Sequence, residues 1–244
     1  MKKNLYIITD FDHTITSIDS KSSWNILDNK KIMKVKDIKL CENLQKYYLP
    51  IENDEKISLN EKEKIIKKWY DNHLNIFIKN KIKEEAVNKI SSDKNCMTLR
   101  KGAKEFLKYA HEEEIPVIIV SAGISNTIEN FLKVNNCLYN NVYIISNIIK
   151  YKDGIIKGFR SEIINSLNKN KISFPAKIEE ITKNKENVIV LGDNISDTLI
   201  TPKNKNCIKI GFIRKKEENK KYFDLIYDED SSLEEIIQLI ETTN

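Results

Sequence analysis

Acidic residues follow two apolar runs that lie far apart in the chain. The first run ends just before Asp10 and Asp12, and residues 188–191 end shortly before Asp193 and Asp197. Side chains two positions apart lie on the same side of an extended chain, and strands of one parallel sheet end at a common edge. Buried like charges this close are costly unless a cation or a shared proton relieves them. These residues predict an all-oxygen site that suits Mg²⁺, which takes one or two carboxylates together with substrate phosphate.

A third apolar run, residues 116–120, is followed by Ser121, Ala122 and Gly123. A hydroxyl followed by small residues lets backbone N–H groups close around an anion, and a helix beginning near Ile124 adds a favourable dipole. The same residues are also common in ordinary turns between a strand and a helix. Because all three motifs follow apolar runs, a site for phosphate and magnesium is favoured over coincidence.

Short apolar and β-branched runs alternate with helical patterns along the chain. Continuous apolar strands that alternate with helices are typical of a parallel sheet covered on both faces. The sequence therefore predicts an α/β fold with a Rossmann-like parallel sheet core, and a hairpin around Lys152-Asp153-Gly154. The predicted strands are Leu5–Thr9, 116–120, 142–145, 188–191, 207–212 and 223–227.

Residues 22–96 interrupt this alternation with strong helical periodicity. Ser58-Leu59-Asn60-Glu61 is a capping-box pattern, which predicts a helix that begins near Leu59. An insertion after the first strand lies above the carboxyl ends of the sheet, where such folds bind ligands, so it is a candidate lid. The same pattern also fits a helical subdomain without that role. We therefore predict an α/β core formed by residues 1–21 and 97–244, with a helical cap formed by residues 22–96.

The composition narrows the class of protein. Of 244 residues, 40% are apolar and 32% are charged, and the net charge is +5. Lys is scattered beside Glu, which is typical of a solvated surface rather than of a nucleic-acid interface. No apolar run approaches the roughly 20 residues that cross a bilayer, and the first residues do not form a signal peptide. We expect a soluble cytoplasmic protein that binds neither nucleic acid nor membrane.

The cysteines show no C-x-x-C spacing. This favours free thiols in a reducing compartment over a zinc site or a disulfide framework. The four cysteines are Cys41, Cys96, Cys137 and Cys207.

Together the motifs resemble those of the haloacid dehalogenase-type phosphohydrolases, namely Asp10-Phe11-Asp12-His13-Thr14, Ser121, a later Lys, and Gly192-Asp193 with Asp197. A closer resemblance, to the cytosolic pyrimidine 5'-nucleotidases, covers about three quarters of the chain. It implies a haloacid dehalogenase-like core with a helical cap inserted after the first strand. The matching segments, in order, are Tyr47-Tyr48, Pro50-Ile51-Glu52, Trp69-Tyr70, Leu99-Arg100-Lys101-Gly102, Ile115-Pro116-Val117, Ser121-Ala122-Gly123-Ile124, Ser146-Asn147, Gly158-Phe159, Asn168-Lys169, Leu191-Gly192-Asp193 and Lys209-Ile210-Gly211-Phe212.

The resemblance implies a role for each catalytic residue. Asp10 is the nucleophile that forms an aspartyl-phosphate, and Asp12 protonates the leaving oxygen and then deprotonates the hydrolytic water. Lys169 neutralises charge on Asp10 and on the transferred phosphoryl group. Lys169 is chosen because Asn168-Lys169 matches the family pattern, and Lys171 remains an alternative.

The resemblance also implies the ligands of the metal and of the phosphate. Mg²⁺ is held by carboxylates and one main-chain carbonyl, and the phosphate by a hydroxyl, backbone N–H groups and a lysine. The implied metal ligands are Asp10, the Asp12 carbonyl, Asp193 and Asp197, and the implied phosphate ligands are Ser121, Ala122, Gly123 and Lys169.

The cap residues expected at the substrate are Lys68, Trp69 and His73. Relatives usually have a Glu that reads the base where this chain has Lys68, so the base preference stays open. Trp69 either stacks on a base or belongs to the core of the cap, and its helical spacing suits both interpretations.

The leading hypothesis is a magnesium-dependent phosphomonoesterase that hydrolyses nucleoside 5'-monophosphates, with pyrimidine nucleotides first, as a monomer or weak dimer. A phosphatase for another small metabolite, such as phosphoserine, would use the same catalytic core. A non-catalytic binding module on the same scaffold is the alternative from another class.

Overall fold

The computed structural model describes residues 2–54, 56–214 and 219–242. The main sheet contains β1 (Leu5–Thr9), β2 (Val117–Ile124), β3 (Val142–Asn147), β6 (Asn187–Gly192), β7 (Asn206–Phe212) and β8 (Leu225–Tyr227). Its strand order is β3-β2-β1-β6-β7-β8, and every neighbouring pair is parallel. In register, Ile8 of β1 pairs with Ile118 of β2 and with Val190 of β6. The α/β fold and all six predicted strands are confirmed.

Burial on both faces explains why the strands read as continuous apolar runs. All five residues of β1 are buried. Leu5 and Ile7 belong to the larger core cluster, in which Phe131 also packs. Tyr6 and Ile8 belong to a second cluster on the opposite face. Because successive side chains of a strand alternate between faces, only an apolar residue at every position fills both layers.

Helices follow the strands as their apolar periodicity predicts. Helix α2 begins at Leu59, as predicted, and the Ser58 hydroxyl caps it by accepting from the Glu61 amide. The Glu61 carboxylate accepts from that hydroxyl and not from the Ser58 amide, so only the N-cap half of the predicted capping box forms. The described helices are α1 (Val35–Glu52), α2 (Leu59–Lys79), α3 (Glu84–Ser91), α4 (Ala103–Glu112), α5 (Ser125–Val134), α6 (Ala176–Thr182) and α7 (Glu234–Thr242). No helix among the described residues combines the length and apolar character needed to span a bilayer.

The predicted hairpin is also present. Strands β4 (Ile149–Lys152) and β5 (Ile155–Phe159) pair antiparallel across Asp153 and Gly154. Asp153 has φ +53° and Gly154 has φ +70°, the left-handed conformation that a tight two-residue turn requires.

The helical insertion, residues 22–96, carries α1, α2 and α3. Tyr48 of α1 and Ile66 of α2 bury their side chains against Leu167 of the core. The Lys171 ammonium lies 2.6 Å from the Glu63 carboxylate of α2. The insertion therefore rests on the segment that carries Lys169, while the division into two domains stays a prediction.

Candidate active site

The predicted site residues lie at the carboxyl ends of three adjacent strands. Strand β1 is central, and β2 and β6 flank it. The amide of Asp10 donates to the Leu191 carbonyl over 3.0 Å, which extends the pairing of β1 and β6 up to the acidic residues. The parallel register thus places Asp10, Ser121 and Asp193 at one edge, although they lie far apart in the sequence.

A buried lysine holds the acidic cluster together. The Lys169 ammonium lies 2.7 Å from Asp10 Oδ1 and 2.7 Å from Asp197 Oδ1, and its side chain is 3% exposed. Burial alone would lower the pKa of Lys169, but the Asp10 and Asp197 carboxylates raise it, so the lysine is a fixed positive charge. Of the two lysines considered from the sequence, Lys169 is the one in the cluster, and Lys171 pairs with Glu63 at the surface.

The Lys169 ammonium alone does not balance the negative charge of the clustered carboxylates. Burial raises the pKa of Asp10 to about 7; Asp197 and Asp12 add to the rise, and Lys169 opposes it. Burial also raises the pKa of Asp193, with further contributions from Asp197 and Asp10. Carboxyl oxygens of Asp10, Asp193 and Asp197 lie within 4.8 Å of one another, so a second cation would relieve their repulsion.

The donor set fits a hard divalent ion, because every available ligand atom is an oxygen. Asp197 is already engaged, since one carboxyl oxygen accepts from Lys169 and the other from the Asn194 amide. This leaves Asp10 and Asp193 as the carboxylates with the freest oxygens. A Cβ at Gly192 would collide with the Asp197 side chain, so only glycine lets Asp197 approach the strand end this closely.

Asp12 is held by a residue to which the sequence pattern gave no role. The Ser23 amide donates to Asp12 Oδ1 and the Ser23 hydroxyl donates to Asp12 Oδ2, both over 2.7 Å. Burial raises the pKa of Asp12, and the two hydrogen bonds from Ser23 oppose that rise. A Cβ at Gly123 would collide with the Ser23 hydroxyl, so a residue without a side chain is needed there.

Arg100 fixes the loop that carries Asp10 and Asp12. This buried guanidinium donates to the carbonyls of His13 and Thr14 and, from another nitrogen, to Glu229 and Ser231. His13 has φ +61°, the left-handed region, where the loop turns sharply away from the strand.

The predicted phosphate loop differs from a plain strand end. Strand β2 continues to Ile124, four residues beyond the predicted end, and its register against β3 shifts between Val120 and Ile124. The Gly123 amide donates to the buried Ser121 hydroxyl over 2.9 Å. Helix α5 begins at Ser125, so its amino terminus follows this irregular stretch directly. The sequence pattern could not show the shift, because Ala122, Gly123 and Ile124 also suit a turn.

These groups line one side of a cavity of about 230 Å³, and the helical insertion lines the other. The core contributes Asp10, Asp12, His13, Ser121, Ala122, Gly123, Ser166, Lys169, Asp193, Asn194, Ser196 and Asp197. The insertion contributes Ser22, Trp24, Asn25, Gln45, Leu49, Glu52, Trp69, Tyr70 and His73. The cavity therefore joins a polar, charged end to an aromatic end.

Trp69 and His73 line the cavity, as expected, but Lys68 does not. Lys68 is exposed on α2 and lies outside the cavity lining that the structure describes. The physical reason is helical geometry, because adjacent residues point about 100° apart and Trp69 already faces inward. The insertion also adds the acidic residue Glu52 to the cavity lining, close enough to Tyr70 that its charge helps raise the pKa of that phenol. The resemblance contains Glu52 in Pro50-Ile51-Glu52 but gives it no role.

Trp69 packs in the core of the insertion and also lines the cavity, while its stacking on a base stays a prediction. Its ring stacks on Tyr48 at 5.9 Å between centroids with an interplanar angle of 7°, and it also touches Tyr70. It therefore packs within the insertion and presents an edge or face to the cavity. Burial raises the pKa of Glu52 above that of an exposed glutamate.

Clustered carboxylates, a buried ammonium and a loop of small residues around one cavity match the arrangement expected for a phosphohydrolase with the haloacid dehalogenase fold. The model of the family described as "Pyrimidine 5'-nucleotidase (UMPH-1)" matches residues 7–244. The chain belongs to this family, and it is accordingly a phosphoric monoester hydrolase of the 5'-nucleotidase type.

Individual relatives agree with the family. The chain is 31% identical to the human 7-methylguanosine phosphate-specific 5'-nucleotidase over a 252-residue alignment, which covers 97% of this chain and 84% of the human protein. It is similar to the crystal structure of cytosolic 5'-nucleotidase IIIB bound to cytidine, with a TM-score of 0.86, 25% identity and coverage of 98% of this chain and 86% of that one. A phosphoserine phosphatase in a phospho-aspartyl analogue form, with a TM-score of 0.64, 21% identity and coverage of 98% and 99%, shares the fold.

Proposed function

We propose that this protein is a magnesium-dependent 5'-nucleotidase that hydrolyses nucleoside monophosphates through an aspartyl-phosphate on Asp10. The supporting observation is the cavity in which Asp10, Asp12 and Lys169 face the insertion residues Glu52 and Trp69. The charged end suits a phosphate, and the aromatic end suits a base, which is the arrangement that a nucleotide needs.

The residues support a two-step reaction. The Asp10 carboxylate attacks phosphorus, the bond from phosphorus to the nucleoside 5'-oxygen breaks, and the protonated Asp12 carboxyl gives its proton to that oxygen. Water then attacks phosphorus, Asp12 takes a proton from the water, and phosphate leaves as the Asp10 carboxylate is restored. Lys169 stays charged throughout and offsets the negative charge that gathers near Asp10.

Asp10, the Asp12 carbonyl and Asp193 would hold Mg²⁺. Asp197 would help to position the site, because its carboxylate accepts from Lys169 and from the Asn194 amide. The ion would offset charge on the phosphate oxygens. Ser121 and the Ala122 amide would hold the remaining phosphate oxygens, since this loop lines the cavity. The Gly123 amide would join them by leaving the Ser121 hydroxyl, to which it donates in this structure.

Ser23 allows a test of the acid role of Asp12. Ser23→Ala removes the hydroxyl bond to the Asp12 carboxylate but keeps the amide bond. A lost bond to a charged group is worth about 1.5–3 kcal/mol, so we expect kcat to fall about 10-fold or more. Because the lost bond stabilised the charged form, the pKa of Asp12 rises further. The protonated acid then persists to higher pH, and the alkaline limb of the pH profile of kcat/KM moves upward; a downward shift would contradict the acid role.

The next question is which nucleobase the cavity prefers. Glu52 contributes a carboxylate to the cavity close to Tyr70, which suits a base that donates hydrogen bonds or carries positive charge. Cytosine offers an amino group, and a 7-methylated guanine is cationic. We therefore infer two candidate substrates, cytidine monophosphate within the pyrimidine class and 7-methylguanosine monophosphate, which agrees with the names of the relatives.

Glu52 and Lys68 can be separated by a matched pair of variants. We expect Glu52→Gln to raise KM for 7-methylguanosine monophosphate about 10-fold or more and to change kcat less, since a charge-assisted contact is lost. We expect Lys68→Glu to leave KM and base preference within about twofold, because Lys68 is exposed outside the cavity. A shift of base preference with Lys68→Glu but not with Glu52→Gln would contradict the assignment.

The pH dependence of KM provides a further test of the role of Glu52. Burial raises the pKa of Glu52, so on acidification it loses its charge at a higher pH than an exposed glutamate does. KM for the cationic nucleotide should therefore rise in mildly acidic solution, and Glu52→Gln should abolish that rise.

A panel of phosphomonoesters with Mg²⁺ tests the proposed function. We expect kcat/KM for cytidine, uridine or 7-methylguanosine monophosphate to exceed that for phosphoserine at least about 10-fold, since the cavity wall is aromatic. Equal or better turnover of phosphoserine would overturn the nucleotide assignment in favour of a metabolite phosphatase. Failure to hydrolyse even p-nitrophenyl phosphate would favour a binding module. A cytosolic location is part of the proposal, because related proteins are named as cytosolic.

A further inference from the structure

A second cluster of potential metal ligands lies in the insertion and shares no residue with the acidic site. Asp28 follows the short helix Asn25–Leu27, Cys41 lies on α1 and His73 lies on α2. One ligand atom from each lies within 4.8 Å of the others, and His73 Nε2 is 2.8 Å from Asp28 Oδ1. Cys41 is 1% exposed and His73 is 4% exposed. Three separate segments thus bring sulfur, nitrogen and oxygen to one buried point.

Hydrogen bonds explain, without a metal ion, why some of these side chains lie close together. Asp28 accepts from His73 and lies close enough to Cys41 that burial and the carboxylate together raise the pKa of the thiol. The donor set is nevertheless unlike that of the acidic site. A thiolate, an imidazole and a carboxylate together suit zinc and similar divalent ions, whereas oxygens alone suit magnesium.

The distances allow an ion after a small movement. Tetrahedral coordination at about 2.0 Å from nitrogen and oxygen would set those two ligand atoms roughly 3.3 Å apart, about half an ångström more than their present separation. Sulfur at about 2.3 Å would lie roughly 3.5 Å from each of them, which is inside the present limit of 4.8 Å. Rotation of the side chains within a hydrogen-bonded cluster can supply such a shift.

We propose that Asp28, Cys41 and His73 form a zinc-type metal site distinct from the magnesium site at Asp10 and Asp193. On binding, the Cys41 thiol loses its proton to solvent, the Nε2 atom of neutral His73 ligates the ion, and water completes the coordination. The site would tie α1 and α2 to the segment that also carries Ser23, which holds Asp12. Since His73 lines the cavity, occupation of the site also fixes part of the substrate wall.

Cobalt replaces zinc in such sites and reports on sulfur directly. We would titrate the purified full-length chain with Co²⁺ and record the near-ultraviolet band for charge transfer from thiolate to metal. The expected result is a band that saturates at one equivalent and disappears when Zn²⁺ is added. The band should persist in Asp193→Asn, because the acidic site holds no sulfur, and in Cys137→Ser, a buried cysteine elsewhere in the chain. It should be lost in Cys41→Ser.

The outcomes decide the proposal. No band in the wild-type chain, or a band that survives in Cys41→Ser, would overturn it and leave the cluster as a hydrogen-bonded support for His73. If Cys41→Ser fails to fold, X-ray absorption on the zinc-loaded wild type decides instead. One sulfur at about 2.3 Å supports the site, and a shell of oxygen and nitrogen alone excludes it.

Discussion

Asp10→Asn is expected to lower phosphate release by roughly 10³-fold or more, which is the scale on which loss of a covalent nucleophile acts. The amide has the same shape as the carboxylate but carries no negative charge to attack phosphorus. The substitution also removes one carboxylate from a cluster in which burial and neighbouring carboxylates raise the pKa of Asp10, so it relieves repulsion within that cluster. The measurement is steady-state release of phosphate from the best nucleotide of the panel, with circular dichroism to compare the folds.

Asp19→Asn is the control for Asp10→Asn. Asp19 is an exposed acid in the same amino-terminal segment, so its replacement should leave the rate within about twofold. Retained activity in Asp10→Asn, with a normal fold, would remove Asp10 from the role of nucleophile.

Lys169→Met is expected to lower kcat about 10²–10³-fold, the usual cost of one preorganised charge at a reacting centre. The Lys169 ammonium lies 2.7 Å from Asp10 and 2.7 Å from Asp197, so methionine leaves both buried carboxylates without it. The pKa of Asp10 then rises further, because Lys169 opposes its rise in the intact protein. Activity should therefore be lost first at low pH, where more of Asp10 is protonated.

Lys171→Met provides the matched control. Lys171 lies two residues further on, its side chain is 61% exposed, and it pairs with Glu63 on the insertion. Exposed ion pairs contribute about 0–1 kcal/mol, so kcat should stay within about threefold. A larger loss in Lys171→Met than in Lys169→Met would mean that the lysines are assigned the wrong way round.

The part of the site that could be predicted from the sequence is the set of residues that directly follow the strands. Continuous apolar runs identify parallel strands, and parallel strands share a carboxyl edge, so the amino-acid sequence alone is enough to place Asp10, Ser121 and Asp193 together. The start of α2 after Ser58 was likewise predictable, because the hydrogen bond that caps the helix is local. These inferences use short-range rules that tertiary packing did not override.

Other parts depend on packing that no local pattern records. Ser23 lies 11 residues from Asp12, and its two hydrogen bonds depend on the path of the intervening loop. Glu52 faces the cavity while Lys68 does not, which depends on how α1 and α2 rotate against each other. The choice of Lys169 over Lys171 depends on the short helix Lys169–Lys171, where two residues turn the side chain from the buried cluster to the surface.

Trapping the phosphorylated enzyme tests the nucleophile most directly. The chain would be mixed with substrate and Mg²⁺, quenched in acid, reduced with borohydride to convert an aspartyl-phosphate into homoserine, and sequenced by mass spectrometry. We expect homoserine at position 10 and unmodified aspartate at positions 12, 193 and 197. Homoserine at one of the other positions, or steady turnover with no trapped residue, would contradict the proposed reaction.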